Sequence, residues 1–328
     1  MQKVKVGFVG VGGVASIHMK NIAANENATI AAVCDIIEDS AIRAGETYGA
    51  AHYTDADLML KEEKLHALFI CVPPFAHGDI EEKAAQLGIH LMVEKPIGLE
   101  MATVERKLKV IRDAGVLCAT GYCLRYIDTV KIAKEYLKDK RIAMIRGHYL
   151  TSFVSTPWYR EKKKSGGQLV EQATHIVDFI RFLAGDIAKV HANMNLLVSK
   201  GIPNIDIPDV TSVNFLMESG AVGHLDASFI QTDHRMGVEL LGDKFRLSFD
   251  GADLTIVEED GIITYRSKVD FYKGQDNAFI EAVRTNNKDL ILSDYENGLE
   301  TLRVTLLTNE SQKKEKVIRL KDHAKENS

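Results

Sequence analysis

What this chain lacks excludes several classes of protein. It holds only four cysteines in 328 residues, Cys34, Cys71, Cys118 and Cys123. Their spacing fits neither a disulfide framework nor a zinc site, so no metal centre is expected. Cys34 and Cys71 fall near predicted strand ends and read as buried, reduced thiols. No apolar run is long enough to span a bilayer, so no membrane association is expected. A net charge of −5 with no long basic run argues against a nucleic-acid partner. The triplet Lys162–Lys164 is the one local exception and reads as a solvated loop ahead of Gly166-Gly167. The N-terminus runs straight into a predicted strand, so no signal peptide is expected and the compartment is read as cytoplasmic. There is no internal repeat and no low-complexity linker. What remains, 45% hydrophobic and 27% charged residues, is a globular composition with core enough for two domains.

The most informative stretch is Lys5 to Ala15, KVGFVGVGGVA, followed by an apolar strand that stops at Asp35. This is the dinucleotide-binding order of strand, glycine turn, helix, strand and carboxylate. Gly10 permits the tight turn, and Gly12 lets the backbone approach a pyrophosphate. Val11, Gly13 and Val14 complete the cradle, where the helix N-terminus aims its amides at negative charge. Ala15 is small enough for close helix–strand packing. Asp35 accepts from the adenosine ribose hydroxyls and repels a 2′-phosphate, and Ile36 and Ile37 offer no cation to neutralise one. The cofactor expected is NAD rather than NADP.

The two halves differ in periodicity. Strands are predicted at 3–9, 29–34, 51–53, 67–72, 90–94 and 117–121, with helices at about 14–24, 39–48, 56–63, 76–87 and 100–114. Alternation of this kind gives a doubly wound parallel Rossmann sheet, an α/β domain over residues 1–122. Beyond a helix at 128–138, strands at 142–152, 188–198, 210–218, 221–231, 236–241, 245–249, 253–258 and 262–267 are separated by tight turn signals. Residues 123–328 are therefore expected to form an α+β domain with a largely antiparallel open sheet. It carries an inserted helix at 168–184 and helices at 275–286 and 294–311, the last returning towards the first domain. Strand 221–231 alternates a small apolar face (Ala221, Gly223, Leu225, Ala227, Phe229) with a mixed one (Val222, His224, Asp226, Ser228). An open sheet of this kind predicts a homo-oligomer, dimer or tetramer, built through the second domain.

The residues able to do chemistry cluster in few places. On a helix over 168–184, Glu171, His175 and Asp178 stand at i, i+4 and i+7, a single polar stripe on an otherwise apolar element. His175 suits a general base and Glu171 a partner that orients it or shares its proton. Lys95, within Glu94-Lys95-Pro96 at a strand end, can hold a reacting hydroxyl and stabilise the alkoxide formed as hydride leaves. Cys71, Val72, Pro73 and Glu94 fall at the same carboxyl edge of the sheet, where the cofactor lies. His77 either caps its helix or lines the nicotinamide pocket, and His18 reads as a packed or capping residue. Trp158, Tyr159 and Arg160 form either a packed loop or the stacking wall and polar clamp of a sugar site.

These motifs together resemble the Gfo/Idh/MocA oxidoreductases, the group of glucose–fructose oxidoreductase and inositol dehydrogenase. The likeness runs through the glycine turn with Asp35, Pro73-Pro74 with His77, and Glu94-Lys95-Pro96. It continues through Gly121-Tyr122 with Arg125-Tyr126, and Gly166-Gly167 with Glu171, His175 and Asp178. The resemblance implies a Rossmann domain, an open-sheet second domain, and oxidation or reduction of a sugar, cyclitol or derivative with a nicotinamide cofactor. It gives Lys95 and His175 the catalytic positions and puts Tyr122 and Arg125 among the substrate candidates. Glu171 and Ala173 stand where the family commonly has Asp and Gly, so substrate positioning departs from the family pattern. Two alternatives stay open: a glycosidase that borrows NAD for transient oxidation, and a regulator that binds NAD and a sugar without turnover.

Overall fold

The computed structural model describes residues 3–324. In chain order its elements are β1 (Val4–Val9), α1 (Gly13–Ala23), β2 (Ala28–Cys34), α2 (Glu38–Tyr48), β3 (Ala51–Tyr53), α3 (Ala56–Glu62), β4 (Ala67–Ile70), α4 (Ile80–Gln86), β5 (His90–Val93), α5 (Met101–Ala114) and β6 (Cys118–Thr120). There follow α6 (Thr129–Leu137), β7 (Ile142–Leu150), α7 (Lys162–Ser165), α8 (Gln168–Glu171), α9 (Thr174–Ala184), β8 (Ile187–Asn195), β9 (Val210–Met217), β10 (Val222–Ser228), β11 (Arg235–Gly242), β12 (Phe245–Asp250), β13 (Asp253–Glu258) and β14 (Gly261–Tyr265). The chain closes with α10 (Phe271–Thr285), α11 (Tyr295–Lys314), β15 (Ile318–Arg319) and α12 (Leu320–Ala324).

Two compact units result. The first takes in the chain up to Tyr126 together with Asp270–Leu299; the second takes in Ile127–Val269 and the chain from Glu300. The division is therefore not the contiguous 1–122 and 123–328 read from the sequence. Residues 270–299 join the first unit because α10 is amphipathic and its apolar side completes that unit's core. Phe279 meets Phe69 edge-on at 5.5 Å, and Phe69 stacks on Phe8 at 4.8 Å. The expected return of helix 294–311 holds only for its start. From Glu300 onward α11 belongs to the second unit, where Thr301 donates to Asp178 and Asn309 to the Gly166 carbonyl.

In the first unit six parallel strands lie in the order β3-β2-β1-β4-β5-β6. Strand order reverses between β1 and β4, which opens a crevice at their carboxyl ends. Strands such as β4 (ALFI) are buried throughout, as both sheet faces are covered. The second unit has nine strands in the order β14-β13-β12-β11-β7-β10-β9-β8-β15. Every pair is antiparallel except β7 with β10. Helix α9 lies on one face of this sheet. A β-carbon at Gly147 of β7 would come within 2.9 Å of Ile176 and 3.1 Å of Ile180. The small apolar face of β10 is the covered one, with Leu225 and Ala227 buried. On the opposite face Leu216, Val222, Met144 and Leu241 stand abreast on β9, β10, β7 and β11, and Val222 and Met144 are 47% and 45% exposed.

Two helix expectations need correction. The segment 76–87 starts as a short 3-10 turn, Pro74–Ala76, and becomes α-helical only at Ile80. The helix over 168–184 is two helices, α8 and α9, broken at Gln172-Ala173. Among the described residues no helix is long and apolar enough to cross a membrane. Phe279→Ala removes a side chain that is 1% exposed from the first unit's core. It should cost about 3–5 kcal/mol, read as a lowered urea midpoint.

Candidate active site

The cofactor side of the first unit is built by the β1–α1 turn. Gly10 sits at φ +85°, and its amide donates to the Cys34 carbonyl at 2.8 Å. A β-carbon there would lie 2.9 Å from the Cys71 backbone, so no larger residue fits. At Gly12 and Gly13 an added β-carbon would meet nothing within 4 Å. Gly12 is the N-cap of α1 and provides no side-chain cap, so the first amides of that helix face open space. Ala15 is fully buried under the turn, as close packing requires.

Asp35 closes this cradle from β2. Its carboxylate accepts from the Val11 amide at 3.0 Å and from the Ile37 amide at 2.9 Å, tying the glycine turn to the start of α2. Each carboxylate oxygen keeps a further lone pair for a ligand hydroxyl. Ile36 is 92% exposed beside it, and the Arg43 guanidinium lies on the Ser40 hydroxyl. An open glycine cradle, an uncapped helix N-terminus and a ribose-height carboxylate are what a dinucleotide needs. Residues Val11 to Val14 would hold the pyrophosphate and Asp35 the adenosine ribose.

Along the same edge, Cys71, Val72 and Pro73 are half-buried, and burial pushes the Cys71 thiol well above its ordinary value. His77 is 4% exposed, and its Nδ1 lies 2.7 Å from Glu81 Oε1, while Lys107 Nζ donates to Glu81 Oε2 at 2.8 Å. Burial alone would raise the Glu81 pKa; His77 and Lys107 outweigh it and hold the carboxyl below its usual value. Lys95 leaves β5 half-buried, with its own amide donating to Glu94 Oε2 at 3.0 Å. Tyr122 is buried, and the Arg125 guanidinium donates to the Leu292 carbonyl and to Asn297 Oδ1.

Sequence reading missed one cluster here. His18, on α1, is fully buried between Glu94 and Asp276, its ring nitrogens 3.0 and 2.7 Å from their carboxylates. Asp276 lies 258 residues away on α10, and no local pattern announces the pairing.

In the second unit, Gly166 and Gly167 at φ +75° and +89° turn the chain from α7 into α8. The Gln168 carbonyl accepts from both Gln172 and Ala173, the latter a five-residue, π-type bond, and His175 donates back to Gln172. This wide turn places Glu171 on α8 and His175 on α9, so the continuous i, i+4 stripe is absent. His175 is 9% exposed and Glu171 half-buried. Asp178 is fully buried, accepting from Thr301, whose hydroxyl also takes the Arg181 guanidinium; it anchors α9 to α11. Tyr159 is buried against Phe229 and Ile207, and its hydroxyl donates to Gln172 at the helix break. Trp158 stays half-buried, and the Arg160 guanidinium stands 5.5 Å from the Phe153 ring and donates to the Ser155 carbonyl.

A family model described as an oxidoreductase family with an NAD-binding Rossmann fold matches residues 4–122, and the GFO/IDH/MocA C-terminal domain model matches 134–248. The chain belongs to the GFO/IDH/MocA oxidoreductase family. It is an NAD-binding oxidoreductase, as the glycine turn and Asp35 led us to expect. This GFO/IDH/MocA chain is 25% identical over 295 residues to myo-inositol 2-dehydrogenase of Thermotoga maritima, covering 87% of the chain and 88% of that protein. It is 26% identical over 191 residues to 2,7-anhydro-N-acetylneuraminate hydratase of Mediterraneibacter gnavus, covering 56% and 50%. Its fold superposes on levoglucosan dehydrogenase in complex with NADH with a TM-score of 0.87 at 19% identity, covering 97% of this chain and 99% of that one.

Asp35 sets a test of cofactor choice. NAD should bind at least about tenfold more tightly than NADP, since a hydrogen bond to a charged group contributes about 1.5–3 kcal/mol and about 1.4 kcal/mol is a factor of ten. Asp35→Ser should narrow that gap mainly by weakening NAD, measured by titration calorimetry with each cofactor.

Proposed function

We propose that this family member is a dehydrogenase acting on a secondary hydroxyl of a polyhydroxylated small molecule, a sugar, cyclitol or derivative, and working reversibly on the matching ketone. The observation that carries this reading is the pairing, on one sheet edge, of the open cradle closed by Asp35 with Lys95 at the end of β5. Relatives named for inositol and levoglucosan support the substrate class.

NAD, when bound, supplies the acceptor for the hydride that leaves the carbinol carbon. His175 takes the hydroxyl proton on a ring nitrogen, and the Lys95 ammonium stabilises the negative charge that develops on the oxygen. Glu171 orients the base from across the wide turn. Glu94 and His77 support the nicotinamide side together with Cys71, Val72 and Pro73, and Gly10 sets the cradle's entry. Trp158 and Arg160 are the substrate-facing members of their loop. Tyr159 supports them through Gln172, and Tyr122 and Arg125 are further substrate-contact candidates. The reading includes a cytoplasmic location and a homo-oligomer, dimer or tetramer. The face used for assembly is the mixed one that carries Met144, Val222 and Leu241, because α9 covers the other.

A hydratase among the relatives favours one second reading, in which hydride is returned to the same molecule and no net NADH accumulates. Absorbance at the NADH band during product formation separates the two.

A thermal-shift screen of sugars and cyclitols with NAD present supplies the substrate. With it, Lys95→Ala should lower turnover by roughly two to four orders of magnitude while NAD affinity holds. Oxidation should quicken as pH rises through one ionisation, and His175→Asn should remove that step and most of the rate. A His175→Asn enzyme with the parent's rate and pH profile sinks the assignment.

Assembly is tested by sedimentation velocity. A dimer or tetramer at micromolar concentration is expected, and Met144→Glu with Val222→Glu should dissociate it, since like charges buried face to face are strongly unfavourable. A monomeric parent chain removes the oligomer from the reading.

A further inference from the structure

The buried cluster around His18 is the strongest feature that the chemistry above does not use. The imidazole has no solvent exposure, and both ring nitrogens face carboxylate oxygens, Nδ1 to Asp276 Oδ1 at 2.7 Å and Nε2 to Glu94 Oε1 at 3.0 Å. Only the doubly protonated ring donates to both; either neutral tautomer sets a lone pair against a carboxylate. The second oxygens are committed as well. Asp276 Oδ2 accepts from Asn21 on α1 at 2.7 Å, and Glu94 Oε2 accepts from the Lys95 amide at 3.0 Å. Gly121 leaves the room for this, because a β-carbon there would sit 2.6 Å from the Glu94 carboxylate.

The neighbours from every side are consistent with a cation at His18. Phe69 of β4 and Tyr272 of α10 bracket the ring at 5.4 and 5.8 Å. The Cys71 and Cys123 thiols, raised by burial and by Glu94, remain neutral, so the charges in play are those of Glu94, Asp276 and the nearby Lys95. Burial by itself lowers the His18 pKa, but hydrogen bonds and charge from Asp276 and Glu94 outweigh it and push it up to about 10.

We propose that His18 is a positioning residue for Lys95. Its imidazolium fixes the Glu94 carboxylate, which in turn fixes the backbone amide of Lys95, so the turn that presents the ammonium is tied to α1, the helix of the cofactor cradle, and to α10. The proposal rests on Lys95 being the reactive group, but the tie itself is measurable without a substrate.

The sign of the pH effect follows from the raised value. The unfolded ring titrates near 6.5, so the stabilisation is complete below that and is lost as pH climbs through about 10. The experiment is NMR on the deuterated full chain without cofactor, following the His18 ring nitrogens and exchange of the Lys95 amide. In the parent, both ring nitrogens should stay protonated from pH 7 to 9, and protection of the Lys95 amide should drop only as His18 loses its proton. His18→Gln should speed that exchange by at least about tenfold, the loss of one charge-assisted hydrogen bond, and abolish the pH step. If His18→Gln does not fold, Glu94→Gln and Asp276→Asn report on the same chain of contacts, with faster exchange and a lowered His18 pKa. A neutral His18 at pH 7, or Lys95 exchange unchanged in every folded variant, overturns the proposal.

With myo-inositol, or the probe the screen yields, His18→Gln and Asp276→Asn, which lie outside the cofactor-binding residues, should lose about 10- to 100-fold in kcat while the NAD dissociation constant stays within about threefold. Lower stability with unchanged kcat overturns the positioning role. A parent chain that oxidises no polyol sinks the dehydrogenase reading, and the Lys95 amide still decides this one.

Discussion

The parallel pairing of β1 with β2 on one side and β4 on the other is the constraint on which the cofactor side depends. Parallel strands all end at one edge, so each strand–helix connection delivers its first residues there. Gly10, Asp35, Cys71 and Lys95 are far apart in sequence yet leave neighbouring strands of one sheet at the same edge. The reversal between β1 and β4 leaves space exactly where no crossover helix covers the sheet. The register brings Gly10 so close to the Cys71 backbone that no side chain fits between them. The cradle is thus a consequence of strand order before it is a consequence of any single residue.

Charge is handled in the interior by pairing and not by avoidance. Two buried clusters flank the cofactor edge, His18 with Glu94 and Asp276, and Glu81 with His77 and Lys107. Such groups contribute little net stability when replaced wholesale, because desolvation consumes most of the attraction, but losing one member strands the others. Their value lies in direction. A carboxylate with both oxygens engaged cannot rotate, and Glu94 and Glu81 each hold a group on the active edge in one orientation.

The second unit solves a different problem. The nine-stranded sheet carries α9 on one face, and the apolar row on the other is interrupted by charged neighbours such as Arg146 and Glu239. The break between α8 and α9 adds a wide turn where the polar residues stand, and the Tyr159 hydroxyl ties that turn to the preceding loop. Glu171 and His175 therefore take their directions from two helices, each with its own anchor.

By itself the sequence determined the alternating architecture of the first half, the glycine turn and the Asp35 carboxylate at the end of the second strand, because these depend on periodicity and spacing over a few tens of residues. Apart from the helices read at 76–87 and 168–184, strand and helix bounds read from it stand within a few residues of those observed. The break at Gln172-Ala173 was not legible, since no glycine or proline marks it and the apolar pattern runs through. The union of α10 with the first unit, the parallel β7–β10 pair and the His18–Asp276 contact were likewise decided only in three dimensions. Each joins segments whose separation in the chain exceeds any local period, and each is selected by burial, where an apolar face or a paired charge finds its partner only after the chain has folded back on itself.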